Sequence, residues 1–143
     1  MDKMVLCQLA EELQKLGESL DFGNQVIRTS RGVSEIYVVN RHALQLEVDW
    51  RENNLFMYAV YLKNNSLPDK GVLYHYGDVH WCRKYLEELY LAKRPIIKDR
   101  NRRYSTAYLF DCFMFYTDLI NRNTDILKDF GVTGNIVNPF KTN

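Results

Sequence analysis

Glu47 and Asp49 stand two residues apart in the stretch Ala43 to Trp50, a spacing that puts two carboxylates on one face of a strand, where they could hold a divalent cation. Nuclease-type use of such a pair adds a lysine two residues beyond one acid and a further acid on a neighbouring strand. Here Arg51 takes the first of those places and Leu55 to Leu62 carries no acid, so the pair reads as the water-facing side of a sheet. His75, His80 and Cys82 are the other candidate metal ligands. With an N-cap at Asp78, His80 and Cys82 would lie roughly 200° apart around a helix axis and could not converge on one ion. Cys82 falls on the apolar stripe of that helix, where a thiol is structural rather than nucleophilic. Cys7, Cys82 and Cys112 are odd in number, widely spaced and without a Cys-x-x-Cys pair, which predicts reduced, mostly buried thiols and no disulfide framework. Gly-x-Gly-x-x-Gly, Gly-x-x-x-x-Gly-Lys and Gly-x-Ser-x-Gly are all missing from the sequence. The expectation is a chain that is not an enzyme and takes no metal or cofactor.

Binding chemistry is better represented. Residues 93–103 carry six Lys or Arg against one acid, whereas residues 1–60 carry six against nine, a polarity hidden by a net charge of +1. The basic run reads as an exposed, mobile loop that could meet phosphates or an acidic protein surface, with Tyr104 as a stacking ring beside it. Arg94, Lys98, Arg100, Arg102 and Arg103 are accordingly the residues of a nucleic-acid-binding alternative. A single basic loop is most often a solvated connection, and nucleic-acid binders more commonly show a basic balance over the whole domain, so the run reads first as solvated, next as a contact for a protein partner and last as a nucleic-acid site. Of the ten Tyr, seven Phe and two Trp, many are expected in the core, Tyr37, Phe56 and Tyr58 among them, and core is the first reading of the rest as well. Tyr74, Tyr76 and Trp81, clustered around His75 and His80, have the amphipathic character favoured at binding hot spots. Together with Glu47, Asp49, Tyr104, Tyr108 and Phe115 they form the expected partner-binding set.

The elements that position these residues follow from periodicity. At 143 residues and 17.0 kDa, with 46% apolar and 26% charged residues, the chain is expected to form one domain over 1–143 with a loose tail from about 132. The longest apolar stretch, Leu55 to Leu62, is far short of the ~20 residues a membrane span needs. The acidic, amphipathic N-terminus lacks the apolar core and small-residue cleavage site of a signal peptide, which points to the cytoplasm. Leu6, Leu9, Leu13, Leu16 and Leu20 predict a helix from Met4 to Leu20. Gln25 to Arg28, Ser34 to Val39, Ala43 to Trp50 and Leu55 to Leu62 then read as strands joined by short turns, hence antiparallel, with Val72 to Tyr76 as one more. Along the third of these, Leu44, Leu46, Val48 and Trp50 take a core face and Gln45, Glu47 and Asp49 a wet one; the fourth is apolar on both faces and therefore central or covered.

Val79, Cys82, Leu86 and Leu89 predict a second helix from Asp78 to the stop at Pro95. A third helix, capped by Asp99 or Ser105, runs to about Asn121, and a fourth from Thr124 is ended by Gly131. The fold class is thus α+β: a leading helix, an antiparallel meander of three to five strands, and two or three C-terminal helices packed on the sheet. In the third helix Asp111, Asp118 and Arg122 share a stripe with Tyr104, Ala107 and Phe115. With few helices available to surround it, that stripe is expected to meet a second chain, a homodimer or another partner. In its size, its acidic and aromatic sheet region from Glu35 to Tyr61 and its lack of catalytic motifs, the chain resembles small cytoplasmic bacterial toxin-immunity proteins and phage-encoded inhibitors. The resemblance implies a protein that binds a partner and covers its functional site, without catalysis of its own.

Overall fold

A computed structural model describes residues 2–20, 26–31, 34–39, 44–62 and 81–133, with side chains described at 2–20, 44–61 and 84–130. The first helix, α1, spans Lys3–Ser19. Asp2 caps it, its Oδ1 accepting from the backbone nitrogens of Met4 at 3.0 Å and Val5 at 3.1 Å. Leu6, Leu9, Leu13 and Leu16 are buried as their spacing predicts. Cys7 lies on the opposite side and is exposed, whereas Cys112 is buried, so the expectation of mostly buried thiols holds for one of the two thiols described.

Five strands follow in chain order: β1 Val26–Arg31, β2 Ser34–Val39, β3 Leu44–Asp49, β4 Asn54–Leu62 and β5 Trp81–Tyr85. They pair antiparallel in the order β1-β2-β3-β4-β5, a meander in which each strand lies beside its neighbour in sequence. Register sets Leu46 between Tyr37 and Met57, and Gln45 between Val38 and Tyr58. Leu44, Leu46 and Val48 of β3 and Leu55, Met57 and Ala59 of β4 form the core face, covered by the C-terminal helices.

Two expectations change here. The region after Asp78 is not helical from its start: Trp81–Tyr85 is a strand, and helix α2 is confined to Leu86–Leu89. The unpaired edge of β4 offers a row of N–H and C=O groups, and pairing Trp81↔Leu62 through Tyr85↔Tyr58 satisfies them, a tertiary gain that outweighs the local helical spacing. The Tyr85 ring adds cross-strand contacts, 4.6 Å from Tyr58 and 5.7 Å from Phe56. Only the end of the apolar pattern, Leu86 and Leu89, remains helical and buried. Second, the supposed wet face of β3 is covered. Gln45 is 0% exposed and Tyr58 2%, and the Gln45 amide has no hydrogen-bond partner among the described residues. This agrees with β4 being apolar on both faces.

Helix α2 ends in a Schellman turn in which Leu91 takes φ 53° and the backbone nitrogen of Ala92 donates to the Glu87 carbonyl at 2.9 Å. After a coil come α3 Arg100–Arg103, α4 Thr106–Arg122 and α5 Thr124–Thr133, so the last helix runs past Gly131. Leu109, Cys112, Phe113, Tyr116, Leu119 and Ile120 bury the inner face of α4. That helix packs on β4 and also meets α1, α2, α3 and α5. The argument that too few elements surround it therefore fails. No helix among the described residues is long and apolar enough to cross a membrane.

Candidate interaction site

The basic segment 93–103 is expected to be a mobile loop; the structure fixes it at both ends to one turn. Its first anchor is Arg94, whose Nη2 lies 2.7 Å from Asn54 Oδ1, 3.2 Å from the Tyr108 hydroxyl and 2.6 Å from Cys112 Sγ, sharing two protons among three acceptors. The guanidinium carbon sits between two rings, 5.2 Å from the centre of Phe56 and 5.7 Å from that of Tyr116. The second anchor is Arg103, whose Nη1 donates to the carbonyls of Glu52 at 3.2 Å and Asn53 at 2.8 Å. In return Asn53 Nδ2 donates to the carbonyls of Arg103 and Ser105, each at 3.0 Å. Asn53 does so from φ 48°, a left-handed conformation that asparagine tolerates better than most residues. Asn53 and Asn54 are consecutive, so the two ends of the segment are held side by side, as in an Ω-loop.

Between the anchors the chain is tied further. Ile97 packs against the core, and Asp99 Oδ1 caps α3 by accepting from the Asn101 nitrogen at 3.0 Å. Ser105 begins α4, its hydroxyl donating to the Arg102 carbonyl at 2.7 Å. Arg102 forms a two-pronged pair with Asp111, Nε to Oδ2 at 2.7 Å and Nη2 to Oδ1 at 2.6 Å. That hydrogen-bonded pairing holds the Asp111 carboxyl below its ordinary range. It also neutralises the acid at the centre of the stripe on α4 expected to meet a second chain.

The Arg94 pocket is electrostatically unusual. Burial works against the guanidinium's charge, but Tyr116, Cys112, Tyr108 and Glu87 outweigh it and hold Arg94 above its ordinary value. Tyr116 donates to Glu87 Oε2 at 2.8 Å, while Glu87 Oε1 is buried without a hydrogen-bond partner among the described residues. Desolvation raises the Tyr108 hydroxyl and pushes that of Tyr116 well up, so both are neutral at physiological pH, Tyr108 accepting from Arg94 and Tyr116 donating to Glu87. This is a structural polar cluster beneath the loop.

The expected partner-binding residues are not brought together. Glu47 accepts from the Tyr58 hydroxyl at 3.2 Å, and Asp49 Oδ1 accepts from the Glu52 nitrogen at 3.1 Å, so both carboxylates, half-buried, serve the sheet and its turn. Tyr108 is buried, and Phe115 is half-buried against the core with its ring edge-on to Tyr116 at 5.3 Å. Tyr104 is 60% exposed, with the guanidinium of Arg103 5.2 Å from its ring centre and that of Arg100 at 6.0 Å. Trp81 lies on β5, its side chain outside those described, and Tyr74 and Tyr76 fall outside the described residues altogether. Of the alternative nucleic-acid set, Arg94, Arg102 and Arg103 are engaged inside the molecule, which leaves Lys98 and Arg100 to solvent.

His75 and His80 also lie outside the described residues. The helical argument that separated His80 from Cys82 lapses, because Cys82 lies on β5. Among the described residues no three of His, Cys, Asp and Glu converge as metal ligands. A shallow groove of about 310 Å³ lies between α1 and α4, with Glu12, Lys15, Phe113 and Met114 in its walls.

Sequence reasoning missed four residues. Asn53 and Asn54 read from sequence as part of a turn between two strands, but adjacent asparagines can supply both a left-handed backbone and side-chain hydrogen bonds. Leu91 falls inside the expected second helix and Ile96 inside the basic run, and neither is singled out by its spacing, yet they are 61% and 87% exposed. The visible clue was Pro95-Ile96-Ile97 inside a charged run, since two isoleucines in a coil cannot both be there for solubility. No protein-family model matches the chain, and no curated protein or solved structure matches it either.

Proposed function

We propose that the protein is a cytoplasmic, non-catalytic protein-binding module of the inhibitor or immunity type, which covers a functional site of a partner with the anchored loop 91–104. The observation that carries this reading is Ile96. Ile96 is 87% exposed in a loop held at both ends by arginine–asparagine contacts. A large aliphatic side chain displayed in water on a flexible segment needs no explanation; displayed on a fixed one, it is a preorganised anchor. Leu91 supports the reading, being exposed and held in a left-handed conformation that glycine would adopt at less cost. Lys93, Lys98 and Arg100, exposed and close to these two in sequence, would supply the charged rim of a protein interface with an apolar centre.

The test is affinity capture from native-host lysate with the wild type and with Ile96→Asp, alongside thermal melting of both. An exposed substitution should leave the melting temperature nearly unchanged. The expected result is a protein retained by the wild type, insensitive to nuclease, and lost with Ile96→Asp. Equal retention by both, or retention that vanishes on nuclease treatment, would overturn the reading.

A further inference from the structure

The loop's charges identify the chemistry of what it meets, an inference that rests on the reading of 91–104 as the contact surface. Six cations lie between 93 and 103, and they divide into two groups. Arg94, Arg102 and Arg103 are consumed internally by Asn54 and the cluster beneath it, by Asp111, and by the carbonyls of Glu52 and Asn53. Lys93, Lys98 and Arg100 are exposed, and among the described residues no carboxylate lies within ion-pair distance of any of them. Three like charges within eight residues repel one another. Asp99, the single acid of the segment, is committed to capping α3.

We propose that the partner presents an acidic protein surface with an apolar pocket, in which Ile96 is buried while Lys93, Lys98 and Arg100 face carboxylates around it. Charge complementarity sets the sign of the surface. Ile96 sets its nature, because removing an aliphatic side chain from water requires an apolar cavity that a phosphate backbone does not offer. A single-stranded nucleic acid would use arginine forks and open aromatic faces. Here the fork of Arg102 is taken by Asp111, Arg103 Nη1 is taken by two carbonyls, and Arg100 and Arg103 already lie over the Tyr104 ring. A fixed loop gains affinity only against a partner of fixed shape, which a fluid anionic bilayer is not.

The test places a photo-crosslinking residue, p-benzoylphenylalanine, at position 96 of the full chain in native-host cells, with and without Lys93, Lys98 and Arg100 all changed to Glu. Circular dichroism first checks that both proteins are folded. The expected result is a crosslink to a protein peptide flanked by Asp and Glu, with the yield falling tenfold or more in the charge-reversed form. A crosslink to a protein whose yield is unchanged by charge reversal, or whose contact surface is neutral or basic, overturns this inference and leaves the loop's role as a contact surface standing. Failure of position 96 to crosslink to any protein overturns both. Purified protein is also titrated with a 20-nucleotide single-stranded RNA and with phosphatidylserine vesicles. Binding to either that is lost in the charge-reversed form overturns the acidic-protein assignment.

Discussion

Asn53 and Arg103 exchange hydrogen bonds: Asn53 Nδ2 donates to the Arg103 carbonyl at 3.0 Å, and Arg103 Nη1 donates to the Asn53 carbonyl at 2.8 Å. This reciprocal pair closes the loop against the β3–β4 turn and makes its stability depend on a side chain fifty residues away. Asn53→Ala removes both amide donations and puts in the left-handed position a residue that tolerates it less well than asparagine, for an expected loss of about 2–3 kcal/mol. Asn53→Gly removes the same bonds but suits φ 48°, for a smaller loss of about 1–2 kcal/mol. Urea denaturation checks the order. A glycine variant as stable as the wild type would mean that the amide bonds contribute nothing.

Arg94 is the charged member of a cluster whose other groups are arranged around it. Arg94→Met removes a cation that interacts with Glu87 and one of the two donors to Asn54 Oδ1, leaving only the Leu55 nitrogen, and the expected loss is about 2–4 kcal/mol in chemical denaturation. Arg94→Lys retains the charge but not the flat guanidinium held between Phe56 and Tyr116, so it should recover only part of that loss. Full recovery by lysine would show that charge alone matters.

Leu91 occupies a left-handed position at the end of α2, where a Cβ is unfavourable. Leu91→Gly is expected to raise stability by about 1 kcal/mol, seen as a higher urea midpoint at unchanged slope. The same variant should retain less partner in capture experiments, because it removes one of the two exposed aliphatic side chains of the loop. A gain in stability with undiminished capture would remove Leu91 from the contact surface.

Alkaline behaviour follows from three phenols. Burial raises Tyr90, Tyr108 and Tyr116 above the ordinary tyrosine value. For a group whose folded pKa is raised, the stabilisation is fully present below the unfolded pKa, about 10, and is lost as pH rises through the folded value. Unfolding should therefore begin above pH ~10. The phenolate absorbance of these three should appear together with the loss of circular dichroism, after the exposed tyrosines have titrated. Complete ionisation of all ten tyrosines before any loss of ellipticity would contradict their burial.

The leucine stripe of α1, the core face of β3, the apolar spacing of α4 and the cap positions Asp99 and Ser105 were legible from residue order, because each depends on neighbours within a turn of helix or a pleat, whereas the burial of Gln45 on the other face of β3 was not. Strand β5 was not, since Trp81–Tyr85 is made a strand by the free edge of β4, some twenty residues earlier in the chain. The basic run misled for the same reason. A sequence shows that Arg94, Arg102 and Arg103 are charged, but their partners Asn54, Asp111 and Asn53 are between nine and fifty residues away. Local periodicity sets which segments can be helix or strand. Which cations are spent on desolvated, long-range hydrogen bonds and which remain for a partner depends on chain segments meeting in space, where an unpaired donor or acceptor first acquires its cost.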